Sequence, residues 1–265
     1  MFSLEHVTIG GLPLRAGRTP GDGSRPPLLM FNGIGAGIEL LAPLAEALPE
    51  REVITFDIPG VGGSPPPPLP YRPWHVAWVA RRLLKHYGHA QADVLGVSWG
   101  GAMAQQFALS ASRHCRRLVL CATSGGALMV PGKPEVLLKM ATPRRYTDRD
   151  YARSIAGDIY GGDCRTNPGV LAGHFKDREH HSRMGYVMQL AAIAGWTSLP
   201  WLPLLPQPTL IMAGSDDPLV PLANAKLMHR LIRHSELKVL DCGHMFLLTR
   251  LQESAAAIRE FLDRP

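Results

Sequence analysis

The run Val94-Leu95-Gly96-Val97-Ser98-Trp99-Gly100-Gly101 constrains this chain more than any other segment. It places a serine two residues after one glycine and two residues before another, at the end of an apolar β-forming stretch. A serine lifted on a sharp strand-to-helix turn has a strained backbone, and glycines at those two positions let the arms of the turn approach closely. The flanks agree with that geometry. Ala92 to Val97 reads as a buried strand, and Ala102 to Ala108 as a helix that lays small residues against a sheet. The segment therefore predicts a β–turn–α unit with a nucleophilic serine at its apex.

The same alternation runs through the rest of the N-terminal half. A hairpin turning at Gly10-Gly11 precedes a strand at Leu28 to Phe31, the loop Asn32-Gly33-Ile34-Gly35-Ala36-Gly37 and a helix through Leu40 to Leu48. A strand at Glu52 to Phe56 follows, then Asp57-Ile58-Pro59-Gly60 and the extended surface run Pro65 to Pro68. Next come a helix at Trp74 to His86, the serine unit and a strand at Arg117 to Ala122. Strands alternating with helices predict an α/β fold with a mostly parallel sheet flanked by helices. Between Ser124 and Leu205 the rhythm stops, with glycine and proline breaks and many large apolar residues, as in an inserted helical cap. It resumes with a strand at Thr209 to Ala213, a helix near Leu222 to Leu231, a strand at Glu236 to Leu240 and an amphipathic helix through Phe261. The expected division is a core over residues 1–123, a cap over 124–205 and the rest of the core over 206–265.

Composition narrows the function classes. Hydrophobic residues make up 46% of 265, enough for a full core. The first residues have no basic segment leading into an apolar one, and no apolar run approaches the ~18 residues of a membrane span. The expectation is a soluble cytoplasmic protein. The net charge of +6 would permit polyanion binding. The basic clusters Arg113-His114-Cys115-Arg116-Arg117 and Arg144-Arg145 are short and come with no nucleic-acid-binding signature, so they read as solvated faces. The four cysteines match neither a metal knuckle nor a disulfide framework. His180-His181 lacks carboxylates in a fixed element, and the chain calls for no metal and no cofactor.

A serine hydroxyl is a weak nucleophile at neutral pH. It needs a base to take its proton and an acid to hold that base in one tautomer. Downstream of Ser98, one predicted strand ends in Gly214-Ser215-Asp216-Asp217-Pro218 and the next in Asp241-Cys242-Gly243-His244. His244 follows a strand directly, whereas His229 and His234 belong to a polar helix, so His244 is the expected base. Asp217 is favoured as the acid over its neighbour Asp216, with Asp241 a third candidate. An oxyanion hole is expected at the Asn32 to Gly35 loop, with the backbone N–H groups of Ile34 and Trp99 as donors. Asn32, Leu128, Met129, Tyr160 and Trp196 are the expected substrate contacts.

The chain order serine, acid, histidine is that of α/β-hydrolases, which this sequence resembles. The likeness narrows further. Phe31-Asn32-Gly33-Ile34-Gly35-Ala36, Phe56 to Ser64, Leu95 to Gly101, Val130-Pro131-Gly132-Lys133-Pro134, Pro143 to Tyr146, Asp158 to Gly162 and Gly195 to Ser198 resemble segments of intracellular poly(3-hydroxyalkanoate) depolymerases. That resemblance implies a serine esterase degrading medium-chain-length polyester on cytoplasmic granules, with Ser98, Asp217 and His244 at the matching positions. A general carboxylesterase or lactonase on small esters is the alternative reading, and a non-catalytic receptor on the same scaffold is a third.

Overall fold

The computed structural model describes residues 1–142, 148–167, 169–170 and 183–264. The Arg144-Arg145 and His180-His181 pairs lie outside them. Eight strands form one sheet: β1 (Ser3–Ile9), β2 (Leu12–Thr19), β3 (Leu28–Phe31), β4 (Val53–Phe56), β5 (Ala92–Val97), β6 (Cys115–Cys121), β7 (Thr209–Gly214) and β8 (Ser235–Leu240). Their order is β1-β2-β4-β3-β5-β6-β7-β8. The β1–β2 hairpin turns at Gly10-Gly11 as expected and joins antiparallel to β4, and every pairing from β4 onward is parallel.

Sequence explains this arrangement directly. Leu28-Leu29-Met30-Phe31 and Val53-Ile54-Thr55-Phe56 are buried at every position because helices cover both faces of the parallel region. Alternate residues feed two cores. Leu29, Phe31, Ile54 and Val94 pack with α2 (Pro73–His86), α3 (Trp99–Ser110) and α9 (Leu222–Leu231) on one face. Leu28, Met30, Val53 and Leu95 pack with α1 (Ala42–Glu46), α10 (Phe246–Thr249) and α11 (Leu251–Asp263) on the other. The single helix expected over Leu40 to Leu48 is instead a 3-10 turn over Ile38–Leu41 followed by α1. Pro43, in the first turn of α1, lacks the N–H a continuous helix would need.

The amino-terminal end of the sheet carries a buried charge network. Asp93 accepts hydrogen bonds from Arg51 at 2.9 Å and Arg116 at 2.7 Å, and Arg51 also pairs with Asp263. Arg51 and Asp93 are fully buried, and burial pushes the Asp93 carboxyl up despite its cationic neighbours. Removing one partner strands a charge without water, so Asp93→Ala is expected to lower unfolding free energy by about 3–5 kcal/mol. Urea denaturation checks this, and turnover by the folded fraction should be unchanged because the network lies at the opposite end from the serine. The four cysteines are free and buried, and burial raises every thiol, Cys164 to about 11 and Cys242 to about 12, so all remain neutral.

Between β6 and β7 the chain leaves the sheet. Described there are α4 (Pro134–Ala141), α5 (Arg149–Ser154), α6 (Ala156–Tyr160), α7 (Asp163–Thr166) and α8 (Arg183–Ile193). The two ends of this insertion are tied together by Ala127 N–H to Trp196 O at 2.7 Å and Ser198 N–H to Gly125 O at 2.9 Å. Both ends sit on α3: Gln105 Nε2 donates to Ser124 O at 3.0 Å at the first end, and at the second Ser198 Oγ donates to Gln105 Oε1 at 2.6 Å and Trp196 Nε1 to Gln106 Oε1 at 2.9 Å.

Candidate active site

Ser98 sits between β5 and α3 with φ 53° and ψ −118°, a left-handed conformation costly for a non-glycine residue. The surroundings hold it there. Its N–H donates to Cys121 O at 2.8 Å, and its carbonyl accepts from Thr123 Oγ1 at 2.7 Å. The glycines two residues away have the steric role the sequence suggested. A Cβ on Gly96 would stand 2.4 Å from Gly100 O, and one on Gly100 would stand 2.3 Å from Phe31 O. These are backbone contacts that cannot swing aside.

Asp217 and His244 follow β7 and β8 at the same end of the sheet. His244 Nδ1 lies 2.7 Å from Asp217 Oδ2, and both residues are buried. The other carboxylate oxygen of Asp217 accepts from the N–H groups of Leu219 at 3.0 Å and Val220 at 2.9 Å, which fixes the plane of the carboxylate. Asp216 turns the other way. It accepts from Gly162 N–H and from both Nε and Nη2 of Arg165, and the Arg165 bond holds its carboxyl below the usual range. Asp241 accepts from Ser215 Oγ on the surface. Among the described residues the Ser98 hydroxyl makes no hydrogen bond, so the imidazole and the serine are not yet engaged; such contacts often tighten only when substrate binds.

The Asn32 to Gly37 loop lies against the serine: a Cβ on Gly33 would be 3.8 Å from Ser98 Cβ. Asn32 braces this loop from within, its Nδ2 donating to Gly37 O at 2.6 Å and its Oδ1 accepting from Gly33 N–H at 2.8 Å. Its role is thus to shape the loop, because both ends of its amide are already engaged. Asp57 supports the loop from behind, taking Ile38 N–H on one oxygen and Arg15 Nε and Gly63 N–H on the other. Among the described residues the backbone N–H groups of Ile34 and Trp99 have no hydrogen-bond partner. Two free donors on the two segments that meet at the serine are what an oxyanion hole requires.

The expected substrate contacts divide. Tyr160 stacks its ring on His244 with centroids 6.3 Å apart, and its carbonyl accepts His244 N–H at 2.7 Å. Leu128 faces solvent at 64% exposure, and Met129 is half-buried against the Ser124 hydroxyl. Trp196 anchors the insertion, its indole N–H donating to Gln106 Oε1 and its ring packed edge-on against Trp201. Thr123 and Gln189 support the site from outside every motif that the sequence displays. Gln189 carried one faint signal, as the polar residue in the otherwise apolar run Val187 to Ile193.

Residues 26–251 match the model of the alpha/beta hydrolase fold family. A poly(3-hydroxyalkanoate) depolymerase of Ectopseudomonas oleovorans is 47% identical over 264 residues, covering 99% of this chain and 93% of that protein. A 3-oxoadipate enol-lactonase of Acinetobacter baylyi is 24% identical, with 93% of this chain and 92% of that protein covered. Among solved structures, an enol-lactonase from Burkholderia xenovorans superposes with a TM-score of 0.84 at 22% identity, covering 98% of this chain and 100% of that one. The last likeness concerns the fold, whereas the 47% identity spans core and insertion alike. This chain belongs to the α/β-hydrolase family and, within it, to the poly(3-hydroxyalkanoate) depolymerases.

Proposed function

We propose that this protein hydrolyses the ester bonds of poly(3-hydroxyalkanoates) through an acyl-enzyme on Ser98, with a preference for polymers of medium-chain-length monomers. The observation that carries the substrate class is the 47% identity to a depolymerase across 99% of the chain. Support for the mechanism comes from the buried Asp217–His244 pair and from the two unpartnered N–H groups beside the serine.

In this mechanism the Ser98 oxygen attacks an ester carbonyl while its proton passes to His244 Nε2. Asp217 holds the Nδ1–H tautomer that leaves Nε2 free to accept, and it stabilises the imidazolium that forms. The carbonyl oxygen gains charge and is met by the N–H groups of Ile34 and Trp99. Collapse of the tetrahedral species breaks the ester bond, and His244 returns the proton to the departing hydroxyl of the polymer. A water then gives its proton to His244 and attacks the acyl-serine, and His244 passes that proton to the Ser98 oxygen as the acyl bond breaks, releasing a carboxylic acid and restoring the serine hydroxyl.

The insertion serves as the cap over this centre. Leu128, Leu137, Leu138, Met184, Val187 and Leu190 are 40–71% exposed on it, an apolar concentration suited to the granule surface. Among the described residues no helix is long and apolar enough to cross a membrane. We place the protein in the cytoplasm on this reading. The test is product release from latexes of short- and medium-side-chain polymer alongside p-nitrophenyl esters. Release of monomer or oligomer chiefly from the medium-side-chain latex is expected. Turnover of small esters with none of either polymer would replace this reading with that of a general carboxylesterase or lactonase. No turnover and no labelling by a fluorophosphonate would leave only a receptor.

A further inference from the structure

Gln189 lies in α8, on the insertion, yet its side chain is completely buried against the core. Its Oε1 accepts the Gly35 N–H at 2.7 Å, and its backbone carbonyl accepts the Trp99 indole N–H at 3.0 Å. Gly35 adjoins Ile34, and Trp99 is the other residue whose free N–H flanks the serine. One residue of the insertion thus grips both sides of the proposed oxyanion hole.

The loop needs such a grip. Gly33 and Gly35 flank Ile34, and Gly35 has φ +67°, so no side chain on either neighbour restricts the Ile34 peptide planes. Within the loop, Ala36 N–H holds Gly33 O, the carbonyl of the peptide that carries the Ile34 N–H, while the adjoining Ile34–Gly35 peptide takes its bond from outside, on Gln189. The seat of α8 is rigid enough to do this. A Cβ on Gly185 would stand 1.7 Å from Gly60 O, so helix and core meet backbone to backbone, and Arg72 Nη1 donates to Ala191 O at 2.9 Å.

The other end of the amide shows what the residue is for. Gln189 Nε2 is buried with no partner among the described residues. An apolar side chain of the same length would fill this space without leaving a buried donor unpaired. What the amide provides is the acceptor for Gly35.

We infer that Gln189 is a positioning residue of the oxyanion hole, through which the seated insertion sets the donors that stabilise the tetrahedral intermediate. This rests on the ester-hydrolysis reading above. Loss of an entire oxyanion donor costs about 10²–10³ in kcat, and a donor retained but misaligned should cost less. Gln189→Met is therefore expected to lower kcat on p-nitrophenyl esters by about 10- to 50-fold, with KM within about twofold. Affinity for an alkylboronic acid, whose serine adduct is tetrahedral, should fall by a similar factor. A space-filling role would instead move the melting temperature and leave the boronate affinity unchanged.

Gln189→Glu keeps an oxygen for Gly35 and covers the case in which the methionine variant fails to fold. Its carboxylate would oppose the developing oxyanion, so its rate relative to wild type should rise as pH falls and the carboxyl becomes neutral. A kcat and boronate affinity within twofold of wild type in Gln189→Met, or a pH-independent ratio in Gln189→Glu, overturns the inference. An active wild type with indifferent variants sinks this inference alone, whereas a wild type inert to every ester and to fluorophosphonate sinks the hydrolytic reading itself.

Discussion

Ser98→Ala is expected to lower kcat on a medium-side-chain polyester latex by about a millionfold while leaving the melting temperature where it was. Both halves of this expectation follow from the turn. Alanine accepts the φ of 53° about as poorly as serine does, and the backbone bonds to Cys121 and Thr123 that hold the turn do not involve the hydroxyl. On the proposed mechanism, what disappears is the oxygen that would form the acyl-enzyme, and the free N–H groups of Ile34 and Trp99 would then have no covalent intermediate to stabilise. Latex clearing and calorimetry on the same preparation check the two halves together. Residual turnover above about one part in a thousand would place the nucleophile elsewhere.

Asp217→Asn should cost about 10⁴ in kcat, close to the effect of the equivalent change in serine proteases. The geometry dictates which way the amide sits. Leu219 and Val220 both donate to one carboxylate oxygen, so the amide must present its own oxygen there and turn its NH₂ toward His244 Nδ1. Nδ1 is then obliged to accept, the ring proton moves to Nε2, and the atom that should take the Ser98 proton is already occupied. Single-turnover acylation by an activated ester would show the loss in the first chemical step. Asp216→Asn makes a useful contrast, because Asp216 bonds Arg165 and Gly162 and not the imidazole.

Much of this site was readable beforehand because the chemistry depends on local sequence. Gly96 and Gly100 announce the turn, since any Cβ there would strike backbone, and Ser98 and His244 each follow a strand whose apolar run is plain. The choice between Asp216 and Asp217 was not readable with the same clarity. Adjacent residues at a strand end point in opposite directions, and what distinguishes them are tertiary partners, His244 for Asp217 and Arg165, some fifty positions away, for Asp216. The supporting residues were harder still. Nothing in the chain near Gln189 hints at Gly35, a partner 154 positions distant, and the bond of Trp196 to Gln106 belongs to tertiary packing that local sequence does not announce. The expected Leu40 to Leu48 helix likewise gave way to a 3-10 turn whose first N–H is taken by Asp57 from another loop.

The stretch Tyr160-Gly161-Gly162 is wedged against both loops that bear the acid and the base. A Cβ on Gly161 would stand 2.0 Å from Asp216 O and one on Gly162 2.0 Å from Gly243 N, while Tyr160 O holds His244 N–H. Heat that loosens this wedge is expected to disturb Asp217 and His244 together before eight hydrogen-bonded strands come apart. Thermal inactivation should then run ahead of melting, so that a sample with an intact circular dichroism spectrum has already lost turnover.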